Sequence, residues 1–456
     1  MLGEYRIEGR RASEIAASVE RGVGAGALEP GRLLPPMREL ALVLGVNANT
    51  VAAAYRTLRE RGVIETDGRR GSRVRPRPAT TARGSIRVDA PAGVRDVSNG
   101  SPDPALLPPL HEAFAEVARR YAERPGMYGE APVDEEFGRL ARAAFDADGV
   151  PAGPIGVTSG SLDAVERVLA AHLRPGDAVA VEDPGWGSLL DLVPSLGLRP
   201  VPVLVDDEGP LPEEVERAIR RDGARAVIIT DRAQNPTGAC VTEERARELR
   251  RVLAAHPDVL LVEDDHGHGI VAQPLHPLAG DTGRWVLVRS VAKAYGPDLR
   301  IAAFTGDAET VDRVLGRQRL GPGWVSRLLQ RTVAHLWATE AVDPAVVARS
   351  YGKRRDGLVR ALARRGVEAH GRSGMNVWVP VADETGAVAR LMADGWAVAP
   401  GARFRMNTGP AVRLTVSGLA VGDVGDVEGI EGIEGIEALA DAVARAAGPA
   451  PARSYG

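Results

Sequence analysis

The sequence predicts two folded parts of different class. An N-terminal winged helix-turn-helix precedes a larger α/β body, which has a mostly parallel sheet and a smaller α+β part at its C-terminal end. Three observations carry this. Between residues 10 and 75, two short helical patterns are joined by a glycine-containing turn and followed by a basic-tipped hairpin. From about 110 to 315, short apolar runs alternate with amphipathic helices, the pattern of buried parallel strands covered on both faces. Beyond 330, helical patterns mix with the strand-like MNVWVPV and VRLTVSG.

Composition limits the function classes. A chain of 456 residues can hold two or three domains with sizeable cores. With 44% apolar and 26% charged residues it has an ordinary soluble composition. The net charge of -4 conceals an asymmetry: residues 1–78 hold 14 Arg against 9 Asp and Glu, a net of +5, and the remainder is acidic. A basic head on an acidic body directs a polyanion partner to the N-terminus. Cys240 is the only cysteine, which excludes an intramolecular disulfide and a cysteine metal cluster, and no metal site is expected. The N-terminus lacks the apolar core of a signal peptide and no run approaches 18 apolar residues, so a cytosolic (cytoplasmic) protein without membrane association is expected.

Within the head (1–78), RRASEIAASVERGVG carries Ile15, Ala16, Val19 and Val23 at helical spacing, and EPGRLLPP breaks the chain. MRELALVLG then gives a short helix ending at Gly45, and VNANTVAAAYRTLRERG a second with Asn47 or Asn49 near its N-cap. VIETDGRRGSRV closes as two strands around a basic tip. The second helix of the pair offers Asn47, Asn49, Thr50 and Arg56. Asn reads adenine edges, and Thr meets a phosphate or a methyl group. Arg38 on the preceding helix and Arg69 and Arg70 on the wing complete a set that fits double-stranded DNA.

Residues 79–95 are rich in Pro, Ala, Gly and Arg without steady periodicity and read as a linker. The body (96–446) contains the strand candidates IGVTSG, AVAVED, LRPVPVLV, ARAVIIT, VLLVED and WVLVRS, separated by helices. VEGIEGIEGIE, residues 427–437, is a glycine triplet repeat that suits neither a helix nor a strand face, and reads as a loop insertion before a last helix. Residues 447–456 read as a disordered tail.

Ligands on an open α/β sheet sit outside the carboxyl ends of its strands, and the unusual polar residues fall there. Lys293 is one of only two lysines in a chain that otherwise uses arginine. A primary amine can be made nucleophilic by a lowered pKa, whereas a guanidinium cannot. Ser161 and Leu162 open a helix after a strand and a glycine, where backbone N–H groups suit a phosphate. Trp186 follows a Pro-Gly turn and offers a stacking face, Asn235 sits in a proline-fixed turn, and Asp264, His266 and Ser290 end two further strands, with Arg300 seven residues after Lys293. Together these match what pyridoxal 5'-phosphate requires: an amine, a carboxylate for the pyridine nitrogen, an amide for the phenolic oxygen and donors for the phosphate.

Residues 10–75 resemble the DNA-binding domain of the GntR family, whose signature runs roughly L-P-S-x-R-E-L-A and then G-V-x-R-x-T-V. The counterparts are Leu34-Pro-Pro-Met-Arg38-Glu-Leu-Ala and Gly45-Val-Asn-Ala-Asn49-Thr-Val. Asn49 stands where arginine is common, and Leu33 where another basic residue is frequent. The body resembles fold-type I pyridoxal-phosphate-dependent aminotransferases through Asn235-Pro-Thr-Gly238, Asp264 and Ser290-x-x-Lys293 with Arg300. That resemblance implies Lys293 as the Schiff-base lysine, Asp264 on the pyridine nitrogen, Asn235 on the phenolic oxygen and Trp186 as the stacking ring. It further implies Ser161, Ser290 and Arg300 as phosphate contacts and Arg413 as the group that binds a substrate or effector carboxylate. His266 replaces the tyrosine that usually follows the aspartate two residues on, and is expected to donate to the phenolic oxygen.

Both halves in this order resemble the MocR family of bacterial transcription regulators. The resemblance implies a homodimer that binds an operator in double-stranded DNA and senses pyridoxal phosphate, or its aldimine with an amino-compound effector. The same residues would equally serve a working aminotransferase with an appended DNA-binding domain, and the sequence leaves both open.

Overall fold

The head is three helices and a hairpin. We describe it and the body from a computed structural model that describes residues 5–24, 27–29, 31–60, 63–66, 71–74, 83, 90–280, 282–419 and 435–447. Helices α1 (Ala12–Gly24), α2 (Met37–Leu44) and α3 (Ala48–Glu60) pack with strands β1 (Ile64–Thr66) and β2 (Ser72–Val74), which pair antiparallel. The turn between α2 and α3 follows from two residues. Gly45 adopts φ 66°, a left-handed conformation that glycine reaches without steric cost, and closes α2. Asn47 then accepts the Asn49 amide at 2.8 Å on its Oδ1 and starts α3. Ile15, Val19, Leu28, Leu40, Val51, Tyr55, Leu58, Ile64 and Val74 form the head's own core, and the Tyr55 hydroxyl donates to the Pro35 carbonyl at 2.8 Å. The wing tip with Arg69 and Arg70 lies outside the described residues.

The body follows in order with β3 (Arg95–Asp96), α4 (His111–Glu123), α5 (Glu135–Ala147), β4 (Ile155–Thr158), α6 (Ser161–His172), β5 (Ala178–Asp183), α7 (Gly187–Ser195), β6 (Arg199–Asp206), β7 (Gly209–Pro210), α8 (Pro212–Arg220), β8 (Ala224–Thr230), α9 (Glu243–Ala254), β9 (Leu260–Asp265), β10 (Arg284–Ser290), α10 (Ala292–Tyr295), β11 (Ala302–Gly306), α11 (Ala308–Arg319) and α12 (Arg327–Ala338). The large sheet has the order β4-β11-β10-β9-β8-β5-β6-β7. Its five central strands, β10 to β6, are parallel. Strand β11 runs antiparallel to both β10 and β4. Two reversals restore the direction, so β4 points the same way as the central five and the carboxyl ends of β4, β5, β8, β9 and β10 share one edge.

The strands are buried on both faces, as near-continuous apolar runs require. One face packs Val181, Ile228, Val262 and Val288 against α6, α7 and α11. The other packs Ala180, Val227, Leu261 and Leu287 into a larger core with Phe137, Phe145 and Leu249. The chain continues with α13 (Pro344–Ala363), β12 (Asn376–Pro380), α14 (Glu384–Ala393), β13 (Trp396–Ala397), β14 (Ala399–Pro400), β15 (Ala411–Thr415) and α15 (Ile436–Ala447). Strands β12, β15 and β14 form a three-stranded antiparallel sheet. The last strand-like stretch of the expected linker does not behave as linker. Arg95 pairs with Trp396 in a two-stranded parallel sheet of β3 and β13, so the chain joins the smaller sheet region as it enters the body.

The rest of the linker, apart from Arg83 and residues 90–94, lies outside the described residues, as do most of the triplet repeat and the tail after 447. Helix α15 takes in the end of the repeat, because Ile436 fills a fully buried position. Among the described residues no helix is long and apolar enough to cross a membrane.

Below the sheet edge lies a buried charge cluster. Asp265 accepts from Arg232 Nε and Nη2 at 3.0 and 2.8 Å and from Arg289 Nε at 2.9 Å, and Arg289 also reaches Asp148 at 2.5 Å. Burial alone would raise the Asp265 pKa, but the charges of Arg232 and then Arg289 reverse this and hold it far below the usual carboxylate range. Replacing Asp265 by alanine therefore leaves the buried Arg232 guanidinium without its carboxylate and Arg289 with Asp148 alone, at a cost of about 3–5 kcal/mol near neutral pH, read from denaturant unfolding. A depressed folded-state pKa gives a stabilisation that is complete above the unfolded value of about 3.9 and is lost as pH falls toward the folded one. The gap between the parent protein and Asp265→Ala should thus shrink below about pH 4.

Candidate functional site

Five strand ends supply the site, and each is aimed by its local sequence. After β4, Gly160 takes φ 99°, and a Cβ there would lie 2.6 Å from Arg300 Nη2. Glycine thus lets the guanidinium lie against the start of α6, where Arg300 Nη2 also donates to the Ser159 carbonyl at 2.8 Å. Ser161 is the first residue of α6, and its buried Oγ has no protein partner. Ser290, at the end of β10, accepts the Ala292 amide at 3.2 Å, which leaves its hydroxyl proton to donate elsewhere. A helix start with the Ser161 and Leu162 amides, two hydroxyls and a guanidinium form a cradle for a dianion such as phosphate.

After β5, Trp186 precedes α7 and lines a cavity of about 160 Å³ together with Asn99, Gly100, Gly187, Ser188, Asn235, Lys293, Arg403, Phe404 and Arg413. After β8, the turn that carries Asn235 is locked from behind. Gln234 donates to Glu182 at 3.0 Å and to the Pro184 carbonyl at 2.8 Å, and its oxygen accepts from the Thr237 amide and hydroxyl at 2.9 and 2.6 Å. Burial pushes the Glu182 carboxyl up to about 7 despite its hydrogen bonds from Thr230 and Gln234.

At the end of β9, Asp264 is buried and its Oδ1 has no protein partner, while Oδ2 lies 3.4 Å from His266 Nδ1. The other ring nitrogen of His266 lies 2.7 Å from the Ala233 carbonyl. Both nitrogens are thus turned to protein acceptors, so that His266, expected as a donor to a phenolic oxygen, here braces Asp264 while it lines a small cavity with Asn235, Lys293 and Arg413. Burial opposes protonation of His266, but the hydrogen bond and charge of Asp264 outweigh it and raise its pKa.

Lys293 lies on the four-residue α10 after β10, and its Nζ donates to the Gly100 carbonyl at 2.6 Å. Burial, and after it the charge of Arg413, lower its pKa to about 8. A tenth of such an amine is neutral near pH 7, enough to act as a nucleophile. Arg413, on β15, donates to Asn235 Oδ1 at 3.1 Å and to the Ser98 carbonyl at 2.5 Å, and stacks 4.7 Å from the Phe404 ring centroid. Burial, then the neighbouring Arg403, push its pKa below the ordinary value.

The structure therefore brings Lys293, Asn235, Trp186 and Arg413 around one cavity, with Asp264 and His266 beside it and the Ser161, Ser290 and Arg300 cradle at the same sheet edge. Sequence reasoning missed Asn99, Gly100, Ser188, Arg403 and Phe404. They come from segments far apart in the chain with no shared spacing, and only the neighbours of known members, such as Gln234, carried a local signal.

On the head, Arg38, Asn47, Asn49 and Arg56 are exposed and Thr50 is half-buried. Asn49 and Arg56 are seven residues apart and share one face of α3. Asn47 is partly committed, since its oxygen caps α3 and only its NH₂ is left for another partner.

Two family models match the chain: aminotransferase class I and II over residues 124–425, and bacterial regulatory proteins, gntR family, over residues 11–74. The vitamin B6 salvage pathway transcriptional repressor PtsJ of Salmonella typhimurium is 40% identical over 419 residues, covering 91% of this chain and 96% of that protein. The HTH-type pyridoxine biosynthesis transcriptional regulator PdxR of Corynebacterium glutamicum is 29% identical over 281 residues, 58% of this chain and 59% of that protein. Among solved structures, aspartate aminotransferase from Thermus thermophilus with maleate aligns with a TM-score of 0.65 at 25% identity, covering 77% of this chain and 91% of that one.

The amine chemistry is directly testable because the only other lysine, Lys353, is exposed on α13. Treatment with an aldehyde followed by borohydride should label Lys293 ahead of Lys353 in peptide mass spectra. The initial rate at Lys293 should rise with pH to a plateau with its midpoint near 8, where the amine loses its proton. Equal labelling of both lysines at every pH would contradict the geometry.

Proposed function

The chain belongs to the aminotransferase class I and II family and carries a gntR-type DNA-binding head in front of it, and on that basis we propose that it is a transcription regulator of the MocR kind that senses pyridoxal phosphate. The observation that carries the cofactor half is the pair of buried oxygens without protein partners. Asp264 Oδ1 fits a protonated ring nitrogen, and Ser161 Oγ fits a phosphate oxygen. The 40% identity to a vitamin B6 salvage repressor over nearly the whole chain supports the regulatory half.

Pyridoxal phosphate, when bound, supplies an aldehyde that condenses with an amine and a ring that withdraws electrons. In the proposed arrangement Lys293 supplies the amine, and Asp264 holds the proton of the ring nitrogen while His266 steadies it. Asn235 donates from its NH₂ to the phenolic oxygen, its Oδ1 being taken by Arg413. Trp186 would stack on the ring, and Ser161, the Leu162 amide, Ser290 and Arg300 would hold the phosphate. Arg413 receives the carboxylate of an amino-compound effector through two parallel N–H donors.

On the DNA side, Asn49, Thr50 and the free NH₂ of Asn47 would meet base edges or phosphate, while Arg38, Arg56, Arg69 and Arg70 anchor the backbone. A homodimer presents two such heads to repeated half-sites. The exposed Met127, Tyr128 and Leu320 support an association surface on the body.

Binding of the protein to DNA upstream of its own gene, measured with and without pyridoxal phosphate at fixed salt, tests the reading. The expected result is a visible cofactor band absent in Lys293→Ala, a cofactor-dependent change in DNA affinity, and no turnover with an amino donor and a keto acceptor. Steady turnover without DNA binding at any cofactor level would favour an aminotransferase instead. Arg56→Ala should weaken DNA binding about uniformly across sequences and lower the salt slope by about one.

A further inference from the structure

The two ligand-capturing cations are both occupied by backbone of a single segment. Lys293 donates to the Gly100 carbonyl and Arg413 to the Ser98 carbonyl. Gly100 takes φ 68°, and a Cβ there would lie 3.0 Å from Arg413 Nη2, so the close approach depends on glycine. The flanks are held independently. Val97 bonds to Ala397 and Thr415 in the smaller sheet region, and the Asp103 amide donates to the Tyr351 hydroxyl at 2.8 Å. Among the described residues, apart from the bonds of Ser98 and Asn99 to Asp96 of the adjoining β3, the hydrogen bonds that tie 98–102 to other elements are those from Lys293 and Arg413.

This segment follows β3 by two residues, and β3 is where the linker from the head enters the body. The linker is attached to the same pocket at a second point. Arg83 is bound by Asp191 of α7, with its amide 2.5 Å from Oδ2 and its Nε 3.3 Å from Oδ1, and its Nη1 donates to the Ala402 and Arg405 carbonyls at 3.2 and 2.9 Å. The stretch it grips carries Arg403 and Phe404, both of which line the cavity, and α7 begins at its Trp186–Ser188 wall.

We propose that the Ser98 and Gly100 carbonyls are built-in competitors of the ligand, so that capture of Lys293 and Arg413 releases the segment leading to the linker, with Arg83 holding the linker where it feels the change. The proposal rests on the cofactor reading above and adds how the head is informed. The competition is chemically lopsided. A Lys293 nitrogen that condenses with an aldehyde gives both amine hydrogens to the departing water and has neither left for Gly100. A carboxylate forms charge-assisted, two-point hydrogen bonds with Arg413 that a neutral carbonyl cannot match. Ligand and tether are therefore mutually exclusive at Lys293 and compete for Nη2 at Arg413, whose Nε has no protein partner, and this is the differential affinity that a population shift requires.

Hydrogen–deuterium exchange on the full-length protein tests this with pyridoxal phosphate as the probe. Exchange of the 97–103 amides should rise about tenfold when the cofactor band develops. It should rise similarly, without cofactor, in Lys293→Ala and in Arg413→Ala. Arg83→Ala should keep the band and the exchange response but lose the cofactor-dependent change in DNA affinity. A band that forms while exchange over 97–103 stays unchanged overturns the tether and leaves the cofactor reading standing, and this arm needs no variant to fold. An Arg83→Ala protein whose DNA response is intact overturns the role of the linker. Failure of any band to develop sinks the cofactor reading and the tether with it.

Discussion

Asp265 decides which way the site faces. Neighbouring residues of a strand point to opposite faces of the sheet, so the guanidiniums of Arg232 and Arg289 that bind Asp265 on one face leave Asp264 no choice but the other. The register repeats this: Arg289 lies opposite Asp265, and Val288 opposite Asp264. Arg289 is thus turned toward Asp265, α5 and Phe145, whose ring centroid lies 4.6 Å from its guanidinium carbon, while Ser290 follows Asp264 to the side of α6. A slip of one residue would exchange the two faces and bury Asp264 among arginines. Removing charges from water is costly, and a packed apolar trio could be as stable. What the ionic cluster adds is a single permitted orientation for the two strand ends that carry Asp264 and Lys293.

Given that orientation, the electrostatics of the pocket follow from what lines it. Lys293, Arg403 and Arg413 bring positive charge, and among the described residues no carboxylate lines the cavity; Asp96 acts on Arg413, and Asp264 has one oxygen turned to His266. Arg413 acts on its surroundings in two ways. Its charge helps to keep the Lys293 amine partly neutral, and it attracts the anion that would arrive with an amino ligand. The lysine is prepared for attack by the same guanidinium that would orient its reaction partner.

Much of this was legible in the chain. Buried parallel strands read as short apolar runs, and the polar residues placed where such runs stop mark the site edge. The head was equally readable, because Gly45 and Asn47 punctuate the turn by local chemistry. What stayed hidden was whatever depends on distant partners. Strand β11 restores the direction of β4 by antiparallel pairing, which periodicity does not report. Gly100, Arg403 and Phe404 reach the cavity from residues 193 and more than 100 positions away from Lys293 with no spacing to betray them. The position of His266 says nothing of its two bonds, to Asp264 and to the Ala233 carbonyl, which make it a brace for the aspartate.

That brace has a consequence for the chemistry open to the site. His266 keeps its proton more firmly than an ordinary imidazole: burial opposes the charge, but the hydrogen bond and charge of Asp264, with the Ala233 carbonyl, together outweigh it. A protonated His266 holds Oδ2 of Asp264 and leaves Oδ1, which has no protein partner, as the oxygen open to an N–H of a ligand. The brace thus fixes which oxygen of Asp264 faces a ligand, as the Asp265 cluster fixes which face of the sheet it leaves by.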